Sequence, residues 1–196
     1  MTKRYLQMLQ FVLVMGIATS LVFVGMEWWT APLIAANAAN ELRSTVLRAN
    51  DISFNTGNIN TVFSEEIEEV TVDGFVFFVA KETGNISFEF VGGGVWGPIE
   101  GVVTLAPDKE TIVNIRVLEQ QETPGLGGIV ATEAYLSTFK GIKFSPNIEI
   151  NKPDSAPNKP NEVDSITGAT RTSKAFEGML NDSYSERLAA LAKVGN

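Results

Sequence analysis

The residues best suited to chemistry form a short run near the end of the chain. Residues 161–173 read Asn-Glu-Val-Asp-Ser-Ile-Thr-Gly-Ala-Thr-Arg-Thr-Ser, which places the hydroxyl of Thr170 beside two small residues. Gly168 and Ala169 leave the backbone open to close approach by a large phosphorylated ligand. The same residues also suit an ordinary capped helix start, because short Gly/Ser/Thr motifs are common in proteins.

The segment that follows this run is predicted to be a helix. From Ser173 to Lys193 apolar residues recur at spacings that mostly suit one helix face. Thr172 and Ser173 are natural N-cap residues for it. A helix start carries unpaired backbone N–H groups and the positive end of the helix dipole. The pattern therefore predicts an anion site directly beside Thr170.

A second motif, Glu-Thr-Pro-Gly-Leu-Gly-Gly at residues 122–128, follows the strand-like run 112–118. Pro124 fixes φ and Gly125 permits the positive φ of a type II turn. Gly127 and Gly128 expose backbone amides that can face a flat ligand, and Leu126 offers it an apolar contact. A turn with no ligand fits the same residues.

A third motif is the glycine-rich run Gly-Gly-Gly-Val-Trp-Gly-Pro-Ile-Glu-Gly at residues 92–101. Trp96 is large and amphipathic, so it can cover a ring system while its indole N–H finds an acceptor. It can equally be the corner aromatic of a hairpin. The residues alone leave both interpretations open.

Together the three motifs resemble those of the FMN-binding domain family. The resemblance covers roughly Glu65 to Leu188. This family includes the C subunit of sodium-pumping NADH:quinone reductase and the G subunit of the Rnf complex. Its flavinylation motif runs Asp, a short spacer, Ser or Thr, Gly, Ala, Thr, and the last Thr carries FMN through a phosphoester made by a flavin transferase. The resemblance implies that Thr170 is the linked residue and that the recognition frame comprises Asp164, Thr167, Gly168 and Ala169.

The resemblance also implies the remaining cofactor contacts. Glu122 is expected either to hydrogen-bond the flavin ring or to cap its own turn, and the ring is favoured. Arg171 and Lys174 either neutralise the phosphate or are simply solvated cations. The expected cofactor-binding residues, besides those of the Thr-Gly-Ala-Thr motif at 167–170, are Glu122, Thr123, Gly125, Leu126, Gly127 and Trp96.

The composition excludes several other classes of site. The 196-residue chain contains no Cys and no His, which excludes disulfides, cysteine-ligated iron–sulfur clusters, His-ligated haem, Ser-His-Asp triads and the usual zinc sites. No catalytic side chain and no metal site are expected. A net charge of −8 makes the chain a poor nucleic-acid binder. Because Cys and His are absent, any redox chemistry must depend on an organic cofactor.

The N-terminal segment is predicted to cross a membrane. Residues 5–26 carry no charge, and a helix of that length spans about 33 Å. Lys3 and Arg4 precede this segment and Glu27 follows it. Residues 1–4 are therefore expected in the cytoplasm, and the residues after Glu27 on the outer face, periplasmic or extracellular. A cleaved signal peptide ending near Ala36-Asn37-Ala38 is the alternative, but the apolar run is longer than a usual signal sequence.

The remaining pattern predicts an α+β domain, an antiparallel sheet flanked by helices. A linker and helix are expected over 27–60, with the helix at 32–49, and the FMN-binding domain over 61–196. A short helix is predicted at 132–139 and a proline-rich loop at 145–161. The predicted strands are 72–81, 86–91, 99–106 and 111–118.

The resemblance implies an electron-carrier subunit with covalent FMN rather than a stand-alone enzyme. The length favours a G-like subunit of an Rnf-type complex, which links ferredoxin and NAD to ion transport, over the generally longer C subunit of the quinone reductase. Its expected partners are the other membrane subunits and, during maturation, a flavin transferase. Three other classes stay open: a non-redox assembly subunit, an anchored module that binds a flavin or another phosphorylated ligand reversibly, and, less favoured because no acid/base pair stands out and His is absent, an independent enzyme.

Overall fold

The computed structural model describes residues 2–154, 156 and 158–195 of the chain. These residues divide into two compact units, one ending at Glu41 and one beginning at Leu42. Met1, Ser155, Pro157 and Asn196 lie outside the described residues, and with them small parts of the predicted N-terminal segment, the predicted loop at 145–161 and the end of the predicted domain.

One long helix, α1, covers Thr2–Ala49. It is long and apolar enough to cross a membrane, with a mean hydropathy of 2.1 over its most apolar window, and none of that window is buried. The predicted N-terminal apolar helix is thus confirmed. The residues predicted as a separate helix at 32–49 continue the same helix without a break, through Pro32.

The second unit is built on an antiparallel sheet whose five strands are hydrogen-bonded in chain order. The sheet confirms the α+β class predicted for the chain. A short helix, α2, precedes it at Ile59–Glu66. The strands are β1 Ile67–Val72, β2 Phe75–Ala80, β3 Ile86–Gly93, β4 Pro98–Leu105 and β5 Ile112–Gln120.

The prediction of a single strand at 72–81 is wrong, because this range contains the end of β1, a turn and all of β2. Asp73 and Gly74 both have positive φ, 53° and 86°, and they connect β1 to β2 in a hairpin with Val72 opposite Phe75. An Asp-Gly pair favours such two-residue hairpins. The first strand escaped prediction because it lies at the sheet edge, where Glu68 and Glu69 are exposed.

Both faces of the sheet are covered, because successive large residues point to opposite sides. Phe77 of β2 belongs to the main core, and its neighbour Phe78 belongs to a smaller cluster with Phe63 of α2 and Leu47 of α1. The main core includes Phe176 of the last helix, α4, which covers Thr170–Leu191. The start of α4, where the sequence motifs lie, is therefore held by a packed core.

The prediction of one continuous loop over 145–161 is wrong for residues 149–151. Glu149–Asn151 forms a strand, β6, which pairs in parallel with β7, Glu162–Asp164. Ile148 and Ile150 are fully buried, and the Asn181 side chain of α4 bonds both the N–H and the C=O of Ile148. Ile148 and Ile150 alternate as in a strand, but the prolines in the same segment led to the prediction of a loop. Because β7 pairs with β6, its position is fixed, and the chain runs from β7 into the Thr-Gly-Ala-Thr motif.

The helix predicted at 132–139 is confirmed with a change of type. Helix α3 covers Glu133–Leu136, with Thr132 capping its first turn, and the chain continues through a 3₁₀ turn at Ser137–Phe139. A second 3₁₀ turn at Gly127–Ala131 leads into it. These short elements place the aromatic residues of this segment against α4.

Tyr135 of α3 provides a stability prediction. Its ring packs edge-on against Phe139 at 5.5 Å, and its buried hydroxyl has no hydrogen-bond partner among the described residues. Burial raises the pKa of Tyr135 to about 12 against a smaller lowering by the nearby Ser173 hydroxyl, so the phenol stays neutral. The Ser173 hydroxyl is already engaged with Ile166 and Ala169. Tyr135→Phe removes an unsatisfied polar atom and is expected to raise the free energy of unfolding by about 1 kcal/mol, measured by chemical denaturation.

A matched tyrosine serves as the control. Tyr184 donates its hydroxyl to the carbonyl of Lys109 at 3.1 Å, so Tyr184→Phe should lower the free energy of unfolding by about 1 kcal/mol. Equal losses of stability in both variants would show that the Tyr135 hydroxyl has a partner in solution.

Candidate cofactor site

Helix α4 begins at Thr170, three residues earlier than the sequence indicated. Ala169 occupies the N-cap position, and no side chain of the described residues caps this end of the helix. Gly168 has a φ of +82°, and the Ala169 N–H bonds the Ile166 carbonyl at 3.0 Å in the turn that leads into the helix. Thr170 is exposed, so its hydroxyl stands at an open helix N-terminus.

The two residues predicted as N-caps lie instead inside the first turn, and that prediction is wrong. The Ser173 hydroxyl accepts from the Ile166 N–H and donates to the Ala169 carbonyl, both at 3.1 Å. The Thr172 hydroxyl donates to Glu122 Oε2 at 2.6 Å. Both hydroxyls are buried. They fix the approach to the helix and leave its N–H groups available to an external anion.

The second motif forms the predicted tight turn. Gly125 has a φ of +75°, and the N–H groups of Leu126 and Gly128 both bond the Thr123 carbonyl, at 3.1 and 3.0 Å. Leu126 is 46% exposed. A Cβ built on Gly168 would lie 3.3 Å from Leu126 Cδ2, so the turn and the Thr-Gly-Ala-Thr motif are in direct contact.

The third motif forms a tight turn between β3 and β4. The Gly94 N–H bonds the Gly97 carbonyl at 2.8 Å. Trp96, at the tip of this turn, is 71% exposed. The glycine-rich run therefore presents a large aromatic surface to solvent.

Glu122 joins all three motifs. Its Oε1 accepts from the N–H groups of Val95 and Trp96 at 2.7 and 2.9 Å, and its Oε2 accepts from Thr172. Burial alone would raise the pKa of Glu122, but the hydrogen bonds from Thr172, Trp96 and Val95 together hold it below its ordinary value. The carboxylate is therefore ionised at neutral pH and faces inward.

The two cations near the helix start differ in their surroundings. Lys174 forms an ion pair with Glu177 at 2.7 Å and also donates to Asn151. Arg171 is exposed, directly after Thr170. Arg171 is therefore better placed than Lys174 to meet an added phosphate.

The structure brings the expected cofactor residues into one region through these contacts. Sequence reasoning missed the partnership of Thr172 with Glu122, which are fifty residues apart in the chain. It also missed the role of Gly94, which packs against the Glu122 carboxylate. No local sequence signal marks either contact.

Comparison with known proteins finds a family match over most of the region that holds the three motifs. Residues 94–185 match the FMN-binding domain family. The C subunit of the Na(+)-translocating NADH-quinone reductase from Haemophilus ducreyi is 37% identical over 110 residues, covering 52% of this chain and 42% of that protein. The same subunit from Neisseria meningitidis serogroup A is 33% identical over 111 residues, covering 53% and 43%.

Solved structures show the same fold. The C subunit of Na(+)-translocating NADH-quinone reductase from Parabacteroides distasonis superposes with a TM-score of 0.71 at 27% identity, covering 84% of this chain and 97% of that one. NqrC from Shewanella oneidensis gives a TM-score of 0.65 at 21% identity, covering 79% and 99%. The curated relatives are matched over less than half of their own length.

Proposed function

We propose that this chain, whose residues 94–185 match the FMN-binding domain family, is a membrane-anchored electron-transfer subunit that carries FMN on Thr170. The observation that carries the proposal is the exposed Thr170 hydroxyl at the uncapped start of α4. Two further family motifs are fastened to the same helix turn through Glu122. The linkage would be a phosphoester between Thr170 Oγ and the FMN phosphorus.

The residues around Thr170 fit the two ends of FMN. The free N–H groups and dipole of α4 favour a phosphate at its start, Gly168 keeps the approach open, and Arg171 adds a nearby positive charge. Trp96 and Leu126 expose apolar surface of the kind that covers a flat ring. FMN would supply the redox chemistry, while the chain's own side chains hold and orient the cofactor.

We propose further that the chain works in a complex of the Na(+)-translocating NADH-quinone reductase type. The support is that its curated relatives and structural neighbours are C subunits of that complex. The Rnf assignment favoured by chain length has less support. The match covers only 42% of the Haemophilus ducreyi protein, so length is a poor guide to which complex the chain joins.

The proposed location follows from α1. An exposed apolar helix of this length supports a single membrane crossing, and the structure continues as helix through Ala36-Asn37-Ala38, where a signal peptide would end. Lys3 and Arg4 before the apolar run support a cytoplasmic N-terminus. The domain and the flavin transferase that modifies it would then act on the outer face.

Gel fluorescence tests the proposal. The full chain, expressed with and without a flavin transferase, is denatured in SDS and scanned for flavin. We expect a fluorescent band only with the transferase. Flavin present in the native protein but lost in SDS would replace covalent attachment with reversible binding. Absence of flavin from native protein made with the transferase would favour a non-redox assembly subunit.

A further inference from the structure

We infer that Glu122 is a positioning residue, whose carboxylate fastens the turn at residues 94–97 to the first turn of α4 and so builds the cofactor cradle before any cofactor arrives. The consequence for FMN rests on the function proposed above. The fastening itself is a property of the chain without flavin. In this role Glu122 acts on the flavin through Trp96 and α4, and does not contact the ring.

The geometry of the carboxylate carries the inference. Glu122 is only 4% exposed, and its two oxygens have separate tasks. Oε1 receives the adjacent N–H groups of Val95 and Trp96, whereas Oε2 receives the Thr172 hydroxyl. Hydrogen bonds to a charged acceptor are stronger than neutral ones. One side chain thus links segments that lie 27 residues before it and 50 residues after it.

Two glycines show how closely the surrounding motifs fit this carboxylate. A Cβ built on Gly94 would lie 2.5 Å from Glu122 Oε1, and one built on Gly127 would lie 2.5 Å from Oε2. Neither glycine has a positive φ, so backbone conformation does not explain their presence. The absence of a side chain at Gly94, in the turn between β3 and β4, and at Gly127, in the same motif as Glu122, leaves room for the buried carboxylate to reach its donors.

Glu122 is itself held in place. Its own N–H bonds the Gln120 side-chain oxygen at 2.6 Å, and its lowered pKa keeps the carboxylate ionised. The amide that it fixes belongs to Trp96, the exposed aromatic residue of the site. Loss of the carboxylate would free the turn and, with it, the orientation of the Trp96 ring relative to Thr170.

Hydrogen exchange on the flavin-free chain tests the fastening. The full chain, expressed without a transferase and solubilised in detergent, is followed by mass spectrometry over a peptide spanning 94–97. We expect exchange to be about 10- to 100-fold faster in Glu122→Ala, since hydrogen bonds to a charge are lost. Glu119→Ala, which removes an exposed carboxylate near the end of β5, three residues before Glu122, should match the wild type.

Glu122→Gln is the conservative variant that distinguishes the positioning role from a charge effect. A glutamine oxygen still accepts from Val95 and Trp96, and its NH₂ group donates to the Thr172 hydroxyl, which can rotate to accept. Exchange within about threefold of wild type is therefore expected. Unchanged protection in Glu122→Ala, or equal loss in both variants, would overturn the inference.

A second variant covers the case in which Glu122→Ala fails to fold. Thr172→Val keeps the side-chain volume and removes one of the three hydrogen bonds, the link to α4. We expect exchange over 94–97 to rise about fivefold, the effect of a single hydrogen bond. Exchange at the wild-type rate would show that the turn is held without the helix, and the inference would fail.

The reduction potential of the flavinylated protein gives an independent readout. If Glu122 acts by position, the FMN potential in Glu122→Gln equals that of the wild type, whereas Glu122→Ala shifts it. If its charge acts directly on the ring, both variants shift the potential alike, which overturns the inference. Absence of covalent flavin from all of these proteins would refute the proposed function, while the exchange data would still decide the role of Glu122.

Discussion

Thr170→Ala is expected to abolish covalent flavin while leaving the fold intact. The variant removes the only atom through which the proposed phosphoester can form. Thr170 is exposed at the first position of α4, where alanine is well tolerated, so the packed core below it should not change. After co-expression with a flavin transferase, the wild-type band should fluoresce in an SDS gel and the variant band should be dark.

Two further variants make this result specific. Thr170→Ser keeps a hydroxyl at the same position and should retain part of the modification, measured by the mass of the intact protein. Thr61→Ala removes an exposed threonine on α2 and should be flavinylated like the wild type. Covalent flavin in Thr170→Ala would place the attachment elsewhere and refute the assignment.

The sheet could be predicted from sequence wherever local pattern and burial agree. Runs rich in β-branched and aromatic residues, bounded by turn signals, matched β3, β4 and β5 to within about two residues. The prediction failed at β1, an edge strand with exposed acidic residues, and at β6, where only Ile148 and Ile150 mark burial. In both cases tertiary pairing outweighs local composition.

The candidate site shows the same division between local and long-range information. The Gly125 turn depends on local chemistry and formed as expected. The N-cap prediction failed because Thr172 and Ser173 find partners in the fold, Glu122 and the segment before the helix. Cap propensity describes an isolated helix end. A buried carboxylate fifty residues away cannot enter such a prediction.

The resemblance identified the cofactor class more securely than the complex. The motifs predicted an FMN-binding domain, and residues 94–185 match the model of that family. The choice between Rnf and the quinone reductase depended on length alone, and the similar proteins favour the quinone reductase. Length is set by segments outside the site, so it carries little information on partners.

Gly101 of β4 is the position where one added methyl group should cost most stability. An alanine Cβ there would press on the Arg116 carbonyl and lie 2.6 Å from Phe90 Cζ. The Arg116 oxygen belongs to the neighbouring strand, at an irregularity in the β4–β5 register. Phe90 is 1% exposed and packs edge-on against Phe176 at 5.8 Å, so neither neighbour can move without disturbing the core that supports α4.

We therefore expect Gly101→Ala to lower the free energy of unfolding by about 3 kcal/mol, the upper range for overpacking a core. The measurement is the denaturant midpoint, followed by the near-ultraviolet signal of the aromatic core. Gly93→Ala is the matched control, since a Cβ at this strand position meets nothing within 4 Å, and its midpoint should stay near that of the wild type. Equal midpoints for the two variants would mean that β4 and β5 separate locally at little cost, and that the sheet holds α4 less firmly than its packing indicates.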